Sequence, residues 1–357
     1  MSLEIMVNEG NTDYMKYANR GLTGLKNLGN TCYINSALQC LSHCYELNDF
    51  LNNKTYITKL NRNMDTIILL EWDRLRQTMW SENCSVIPAR FLDKLKKVAK
   101  KKDQLLFTGH EQNDITEYLH FCIDCFHNAI SREVEMEIVG NINNTQDKMA
   151  MKCYKMVERM YAKEYSEIFP IFYGIQVTKI KSQESDYCNF IPEPFFNITL
   201  SIEKRNIKTL KDCFDEYTRV EIMDEDNKIM NDETEKKETA EKNVMFWCLP
   251  QILILSFKRF HNNNRKIQKM IDFPLTDLDL SEYVEGYDKQ NYNYDLYAVC
   301  NHMGNVNGGH YTAHVKNMNG RWYNFNDMSV SPIDTNVQDR IIKSNYAYCL
   351  FYRKKKL

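Results

Sequence analysis

The sequence predicts an α+β protein whose helical first half faces a β-rich second half. Up to about position 168, apolar residues recur every three or four positions, the spacing of amphipathic helices. From about position 171, short segments alternate between apolar and polar residues, which is typical of half-buried strands. With 357 residues, the chain can bury a sizeable core as one large domain or two ordinary ones.

Several segments of the first half have the helical pattern. One follows Asn30 and Thr31, residue types that are common at the N-cap of helices. Its apolar face consists of Ile34, Leu38 and Leu41. The other segments cover residues 66–79, 89–100, 114–130 and 148–167. The helix at 89–100 carries lysines opposite its apolar face, and we interpret them as a solvated surface rather than a partner-binding patch.

The second half contains a series of predicted strands at residues 195–202, 251–260, 292–301, 310–316, 321–326 and 347–353. Residues 221–242 form a polar run with nine acidic and four basic residues, a net charge of −5. We interpret this run as a solvated hairpin or a flexible tip. The polar residues 1–20 lack periodicity and are expected to form a loose lead-in.

The overall composition argues against several classes of protein. The 46 basic and 48 acidic residues give a net charge of −2, without the basic excess of a duplex nucleic-acid binder. No run approaches the roughly 20 apolar residues that span a bilayer, and the N-terminus lacks the pattern of a signal peptide. The 12 irregularly spaced cysteines fit reduced thiols better than a disulfide scaffold. We expect a monomeric intracellular protein, cytoplasmic, nuclear or both, with no nucleic-acid or membrane partner.

The clearest chemical signal is the sequence GLKNLGNTCYINSALQ at residues 24–39. It places Cys32 at the first turn of a helix, where unpaired amides and the helix dipole stabilise a thiolate and lower the thiol pKa. The same amides can bind a developing oxyanion, and the side chain of Asn27 can add a second donor. Gly29 lets a substrate backbone approach closely. On this stretch alone, a buried cysteine without chemistry fits equally well.

A second segment favours the catalytic interpretation. Residues 308–327, GGHYTAHVKNMNGRWYNFND, contain two alternating runs joined by an Asn- and Gly-rich turn, the pattern of a β-hairpin. With a loop of three or five residues, His310 lies opposite Asn326, with their Cβ atoms about 5 Å apart. Asn326 can then hold one ring nitrogen while the other faces a thiol, in the Cys, His, Asn order of papain-like proteases. Because the register is open, Asp327 is a second candidate, and an isolated surface histidine is the alternative.

These two segments resemble the Cys box and the His box of the ubiquitin-specific proteases, a family of cysteine deubiquitinases. Residues 24–33 match the Cys box throughout, and residues 294–313 and 325–327 resemble the His box. Two further segments, QNDITEYL at 112–119 and the strand at 249–260, are also similar to family motifs. The similarity extends from about Gly21 to Arg353, which is nearly the whole chain.

The resemblance implies a catalytic role for four matching residues. Cys32 would be the nucleophile, His310 the general base, and Asn326 the residue that orients the imidazole. Asn27 would supply the side-chain half of the oxyanion hole. The implied reaction is hydrolysis of the (iso)peptide bond after the C-terminal glycine of ubiquitin. A hydrolase for another ubiquitin-like modifier and a catalytically silent ubiquitin-binding module are the alternatives.

The resemblance also implies contacts with ubiquitin and ubiquitinated proteins. Gln112, Asp114 and Glu117 would line a channel for the basic, glycine-ending tail of ubiquitin. Gly304 to Gly309 would form a mobile blocking loop, and Tyr311 would lie beside the scissile glycine.

The implied fold is a papain-like cysteine protease core shaped like a hand. Residues 21–357 would form the catalytic domain. A helical thumb would cover about 21–168, β fingers about 169–246 and a β palm about 247–357. The active site would lie between the thumb and the palm.

The chain departs from the family at the fingers, where many relatives bind one zinc ion with two Cys-x-x-Cys knuckles. The corresponding positions carry hydroxyl and amide side chains, namely Ser182, Ser185, Asn231 and Thr234. None of them offers the thiolate that structural zinc prefers, so we expect no metal and no cofactor. Three nearby cysteines leave an off-pattern site as the alternative: Cys188, Cys213 and Cys248. The Cys-x-x-Cys at Cys122 and Cys125 has its flanking histidines on the opposite side of the helix and is interpreted as core packing.

Overall fold

The computed structural model describes residues 14–108, 111, 113–305 and 308–356, and it confirms the α+β class. Most of its helices lie in the first half of the chain, as predicted. The helices of both halves are α1 (Cys32–Ser42), α2 (Tyr45–Asn52), α3 (Asp65–Ser81), α4 (Ala89–Lys101), α5 (Ile115–Ile130), α6 (Thr145–Tyr161), α7 (Phe169–Phe172), α8 (Leu210–Tyr217) and α9 (Gln338–Ile342).

Most of the strands lie in the second half. The strands of both halves are β1 (Gly24–Leu25), β2 (Ser85–Val86), β3 (Gly174–Ser182), β4 (Cys188–Phe195), β5 (Asn197–Ser201), β6 (Glu221–Met223), β7 (Ile229–Asn231), β8 (Lys236–Glu238), β9 (Ala240–Cys248), β10 (Ile252–Lys258), β11 (Leu278–Asp279), β12 (Asn293–Asn305), β13 (Gly308–Lys316), β14 (Trp322–Asn326), β15 (Ser329–Pro332) and β16 (Ala347–Lys354).

Side-chain caps fix the start of three helices. Asp114 accepts a hydrogen bond from the amide two residues further on (2.7 Å) at the start of α5. Asn144 before α6 and Thr209 before α8 each accept from the amide three residues further on (2.9 and 3.1 Å). These bonds satisfy amides that have no partner within the helix, which is why the helices begin where they do.

The central sheet has eight strands, in the order β15-β14-β13-β12-β16-β10-β5, with β11 also paired to β12. Only the β10–β5 pair is parallel. Because successive residues of a strand point to opposite faces, β16 sends Cys349 and Phe351 into one core and Leu350 and Tyr352 into the other. Helix α1 packs on the first face and shares its core with α3, α4 and α5, whereas α8 lies against the second face.

Helix α1 occupies the centre of the molecule. Its 11 residues are all buried, and it packs against β13 and β12 of the central sheet. The sheet therefore holds the N-terminus of α1 next to the ends of the β-hairpin that carries the predicted histidine.

A second, four-stranded sheet has the order β4-β3-β9-β6 and is antiparallel throughout. Helix α6 covers one of its faces, where Tyr154 and Val157 share a core with Val177 and Phe190. The short β7–β8 hairpin lies between β6 and β9 in the chain. This region matches the predicted fingers in position, although the limits of thumb, fingers and palm stay predictions.

Three sequence-based assignments differ from the structure. The predicted helix at 148–167 ends at Tyr161, because the chain folds back and Tyr165 forms a β-bridge with Arg132. The predicted strand at 195–202 is divided at Phe196, where the chain leaves the four-stranded sheet and enters the central one. Helices α2, α7, α8 and α9 were not predicted, because each has at most eight residues, which is too short for a helical repeat to be recognised.

The interpretation of residues 221–242 as a solvated hairpin or a flexible tip is wrong in one respect. The segment folds into β6, the β7–β8 hairpin and the start of β9. It buries Asn231 and Glu238, which are 1% and 6% exposed. The burial of these two polar side chains could not be predicted, because burial is recognised in a sequence from a pattern of apolar residues.

None of the helices in the described part of the chain is long and apolar enough to cross a membrane.

Candidate active site

The turn before α1 is shaped by two left-handed residues and by the Asn27 side chain. Gly29 and Asn30 have φ values of +95° and +52°, a region that glycine and asparagine enter at low cost. The Asn27 Oδ1 atom accepts hydrogen bonds from the amides of Gly29 (3.0 Å) and Thr31 (3.2 Å). Thr31 is the N-cap residue of α1, which begins at Cys32, but its side chain accepts no hydrogen bond from the first amides of the helix.

Cys32 is 1% exposed, and its thiol lies within hydrogen-bonding reach of the Tyr311 backbone. Burial raises the pKa of the Cys32 thiol, and the nearby Asp327 carboxylate acts in the same direction. Hydrogen bonds from the backbone of Tyr311 and Tyr33 lower the pKa but do not offset burial. The expectation of a lowered thiol pKa is therefore wrong for the free protein. Because α1 is buried along its whole length, a thiolate there loses more hydration than the helix terminus replaces.

His310 lies on β13 and Asn326 ends β14, and their side chains meet. The Nε2 atom of His310 is 2.7 Å from the Oδ1 atom of Asn326. Because an amide oxygen can only accept, the ring donates from Nε2, and a neutral ring keeps its lone pair on Nδ1. This is the arrangement that a general base requires.

The register of this hairpin differs from the predicted one. Ala313 pairs with Phe325 and Lys316 pairs with Trp322, so His310 and Asn326 are not direct cross-strand partners. They are diagonal neighbours, and diagonal side chains can still reach one another across an antiparallel pair.

Asp327, the second candidate for the imidazole partner, binds two side-chain amides instead. Its carboxylate accepts from Nδ2 of Asn27 (3.0 Å) and from Nδ2 of Asn35 (2.7 Å). Its backbone is left-handed (φ +49°), and its carbonyl oxygen accepts from the amide of Leu25 (2.8 Å). Asp327 thus joins α1 to the turn before it, while Asn326 contacts the imidazole.

Asn35 is a site residue that the sequence analysis missed. It lies three residues after Cys32 on α1, is 2% exposed, and also donates to the carbonyl oxygen of Leu25 (3.2 Å). A buried polar residue one turn beyond a nucleophile faces the same side of the helix, and this spacing was the signal available in the sequence.

The residues predicted to line the ubiquitin channel have different environments. Asp114 caps α5, and its second carboxylate oxygen accepts from the hydroxyl of Tyr348. Glu117 lies on the first turn of α5 and its side chain is exposed. Loss of part of the hydration of its carboxyl group, together with the charge of Asp114, raises the pKa of Glu117. Gln112 lies outside the described residues. Asp114 therefore has a structural role besides the predicted one, and the contacts with substrate stay predictions.

Gly309 and Tyr311 pack tightly against His302. A Cβ atom at Gly309 would lie 2.5 Å from the His302 Nε2 atom, so a larger residue does not fit. The Tyr311 ring is buried, with its centroid 4.6 Å from that of His302. Gly309 is paired with Gly304 in the β12–β13 hairpin, and Asn305 is paired with Gly308. The described residues of the predicted blocking loop therefore belong to these two strands, and residues 306–307 lie outside the described residues.

Within the described residues, no group of three or more His, Cys, Asp or Glu side chains is placed to hold a metal ion. Cys122 lies in the main core, as predicted. His127 is hydrogen-bonded to the Ser166 hydroxyl (2.7 Å), and the His120 ring stacks on Phe196. Neither histidine therefore shares a metal site with Cys122.

The arrangement can support nucleophilic catalysis by a thiol. The Cys32 thiol, the backbone next to His310 and the amides of the turn before α1 all meet at one end of α1. A nucleophile, a base held by a third group, and nearby amide donors are the components of a cysteine hydrolase site.

Comparison with known proteins agrees with this geometry. The family model described as ubiquitin carboxyl-terminal hydrolase matches residues 23–352. The chain is 34% identical to ubiquitin carboxyl-terminal hydrolase 2 from Bos taurus over 346 residues, which is 93% of this chain and 55% of the bovine protein. It is 35% identical to ubiquitin carboxyl-terminal hydrolase 2 from Gallus gallus over 348 residues, which is 93% of both chains. The chain thus spans about half the length of some of its relatives.

A solved structure has the same fold. The SAGA DUB module Ubp8/Sgf11/Sus1/Sgf73 bound to monoubiquitin contains a chain that matches with a TM-score of 0.72 and 25% identity. The match covers 97% of this chain and 71% of the other. It confirms the papain-like core expected from the sequence. From the family model and the identities with these relatives, the chain belongs to the ubiquitin carboxyl-terminal hydrolase family, as a ubiquitin-specific protease.

Proposed function

We propose that this chain is a cysteine-type deubiquitinase that hydrolyses the (iso)peptide bond after the C-terminal glycine of ubiquitin. Two observations carry the proposal: the Cys32 thiol lies within hydrogen-bonding reach of the backbone of Tyr311, the residue after His310, and the His310 imidazole is held by Asn326. A catalytically silent ubiquitin-binding module would not need these three residues together. Family membership supports ubiquitin as the modifier, and the SAGA module bound to monoubiquitin supports binding of ubiquitin by this fold.

The first chemical step is attack by the Cys32 sulfur on the carbonyl carbon of the terminal glycine. Because burial keeps the thiol protonated in the free protein, His310 takes the thiol proton on Nδ1 as the carbon–sulfur bond forms. The electron pair of the carbonyl π bond moves to oxygen. In this proposal the Cys32 amide donates to that oxyanion, together with the Asn27 side-chain N–H that is not bound to Asp327.

Collapse of this intermediate expels the leaving amine, which takes the proton back from His310. The product is a thioester between Cys32 and ubiquitin. His310 then removes a proton from water, and the water oxygen bonds to the thioester carbon. The carbon–sulfur bond breaks, Cys32 takes the proton from His310, and ubiquitin leaves with a free C-terminal carboxyl group. Asn326 keeps the ring oriented through both half-reactions, because it holds Nε2 while Nδ1 exchanges the proton.

A ubiquitin probe with an electrophilic C-terminus tests the proposal. We expect covalent labelling of the natural chain and none of Cys32→Ala. Probes built on other ubiquitin-like modifiers should react much more slowly. Fast reaction with such a probe, and none with ubiquitin, would assign the site to another modifier. Binding of ubiquitin without any adduct in the natural chain would indicate a silent binding module.

We also propose that the protein is a monomer and acts inside the cell, in the cytoplasm, the nucleus or both. The cysteines of the described residues are all free thiols, which supports a reducing compartment. Imaging of a fluorescently tagged chain and sedimentation of the purified protein test the two points separately.

A further inference from the structure

At the end of the four-stranded sheet, five polar side chains converge on one another. Ser182 ends β3 and Ser185 lies in the turn after it, while Asn231 ends β7 and Thr234 lies in the turn that leads to β8. The fifth side chain is Glu238, the last residue of β8. We call these five residues the finger tip cluster.

The carboxylate of Glu238 is the common acceptor of the finger tip cluster. Its Oε2 atom accepts from the hydroxyls of Ser182 (2.5 Å) and Ser185 (2.6 Å). Its Oε1 atom accepts from Nδ2 of Asn231 (2.8 Å) and from the hydroxyl of Thr234 (3.3 Å). A carboxylate offers about four lone-pair positions, so this one is fully occupied.

The two donor pairs close their own turns in the same way. The Ser182 oxygen accepts from the amides of Glu184 (2.9 Å) and Ser185 (3.1 Å). The Asn231 Oδ1 atom accepts from the amides of Glu233 (2.9 Å) and Thr234 (3.3 Å). Each pair therefore forms a compact turn that presents two donors to the same point.

The four donors are the residues that counting from the family motifs matches to the zinc ligands of many relatives. A structural zinc ion takes four nitrogen or sulfur ligands, and thiolates neutralise its charge. Here the four positions supply neutral donors, and the space between them is taken by an anion. Zinc does not fit this cluster, because the hydroxyl and amide hydrogens point inward toward the carboxylate and would oppose a cation.

Burial and charge make Glu238 an unusual residue. It is 6% exposed, yet hydrogen bonds from Ser182 and Ser185, followed by those from Asn231 and Thr234, lower its pKa to about 2. The carboxylate therefore stays ionised at any physiological pH. Hydrogen bonds to an ionised group are stronger than neutral ones, so the charge adds to the strength of all four contacts.

We propose that Glu238 replaces the metal of the zinc knuckles with a centre of opposite charge. A buried anion bound by four neutral donors joins the two turns, where other members of the family use a cation bound by four thiolates. The cluster holds the finger tip in shape without a metal. Its effect on ubiquitin binding rests on the proposed function, whereas its effect on the tip itself does not.

Hydrogen–deuterium exchange of the intact chain tests the effect on the tip in the absence of substrate. Glu238→Gln keeps the size of the side chain but removes the charge and presents an amide to the donors. We expect exchange in segments 182–187 and 229–239 to become on the order of 10- to 100-fold faster, the cost of losing hydrogen bonds to a charged group. Glu233→Gln is the matched control, because it makes the same charge change at an exposed position of the same hairpin. Equal protection in Glu238→Gln and Glu233→Gln would overturn the proposal.

Metal analysis tests the absence of zinc independently. The natural chain, purified without chelator, should contain far less than one zinc ion per molecule, and a strong chelator should not change exchange in the tip. Stoichiometric zinc, or chelator-induced loosening of these two segments, would overturn the proposal.

A charge-swap variant tests whether Glu238 stands at the position of the metal. It combines Glu238→Ala with cysteine at the four donor positions: Ser182→Cys, Ser185→Cys, Asn231→Cys and Thr234→Cys. This variant should bind one zinc ion and recover slow exchange only when zinc is present. The Glu238→Ala variant alone should neither bind zinc nor recover. If the five-fold variant folds but binds no zinc, the two turns do not have the geometry of a metal knuckle and the proposal fails.

Discussion

Two carboxylates of the molecule stabilise turns in different ways. One is Asp327 beside the active site, and the other is Glu238 in the finger tip cluster. Asp327 is half-buried and accepts from the side-chain amides of Asn27 and Asn35. Glu238 is buried and accepts from four donors that come from two separate turns. The first carboxylate leaves the neighbouring amides close to a reactive thiol, whereas the second is enclosed by its partners. An anion that shapes a reaction site must leave room for substrate, and one that only joins two turns need not.

The comparison predicts that the two regions can be disabled separately. Changes near Asp327 should lower the rate of the chemical step. Changes at Glu238 should loosen the tip and weaken binding of ubiquitin while the thiol remains reactive.

The largest expected effect is loss of the nucleophile. Cys32→Ala should abolish hydrolysis of a fluorogenic ubiquitin substrate, because no other group in the site can form the thioester. Exchange in the finger tip should stay as slow as in the natural chain. Cys84→Ala is the control, since Cys84 is an exposed free thiol with no role in the proposed mechanism. Measurable turnover in Cys32→Ala would show that the nucleophile is another residue.

The next effect concerns the amides that Asp327 holds. Asn27→Ala should lower kcat by about 10²- to 10³-fold, as expected for one oxyanion donor. Asp327→Ala should lower kcat by a similar factor if Asp327 acts by positioning Asn27. The double variant should then be little worse than either single one, because both remove the same contribution. Additive losses in this double-mutant cycle would separate Asp327 from Asn27 and assign it another role.

Loss of the imidazole partner should have a smaller effect. Asn326→Ala should reduce kcat by about 10²-fold, the typical cost of displacing a reacting group by about 1 Å. Asn326→Asp should keep much of the activity, because either side chain accepts from the ring at Nε2. Steady-state kinetics at saturating substrate measures both variants. An Asn326→Asp enzyme as slow as Asn326→Ala would show that the uncharged amide itself is required.

The smallest expected effect is the pH dependence of the finger tip. The pKa of Glu238 is lowered from 4.5 to about 2 on folding, so its contribution to stability is complete above pH 4.5 and is lost as the pH falls toward 2. Other charges of the tip, among them Lys228 paired with Glu184 and Asp232 bonded to Tyr187, are present in the natural chain and in Glu238→Gln alike.

The difference in melting temperature between these two proteins should therefore be constant from pH 7 to pH 5 and shrink toward pH 3. A difference that grows as the pH falls would mean that Glu238 is already protonated in the folded protein at neutral pH.

The sequence predicted the active site better than the finger tip for a physical reason. Cys32, His310 and Asn326 lie in short segments whose residue types are dictated by chemistry, so local patterns indicate them. The exact register of the His310 hairpin was wrong, because the five-residue loop between Lys316 and Trp322 is centred on Asn319, one residue later than the expected pairing requires. The thiol pKa was also wrong, because burial of the whole of α1 depends on tertiary packing and not on the local sequence.

The role of Glu238 could not be predicted from its neighbours in the sequence. It lies in an acidic run that reads as solvated, and two of its donors, Ser182 and Ser185, precede it by 56 and 53 residues. Counting from the family motifs located all four donors but could not show what stood between them. Only the fold brings the acceptor to that point.

The most direct test of the account is the kinetics of inactivation by a ubiquitin probe with an electrophilic C-terminus, measured for three proteins over a range of probe concentrations. The natural chain should form one adduct per molecule at Cys32, and Cys32→Ala should form none. Glu238→Gln should react with an unchanged limiting rate, kinact, but require a higher probe concentration, KI. An adduct in Cys32→Ala, or a lower kinact at unchanged KI in Glu238→Gln, would contradict the separation of chemistry from the finger tip.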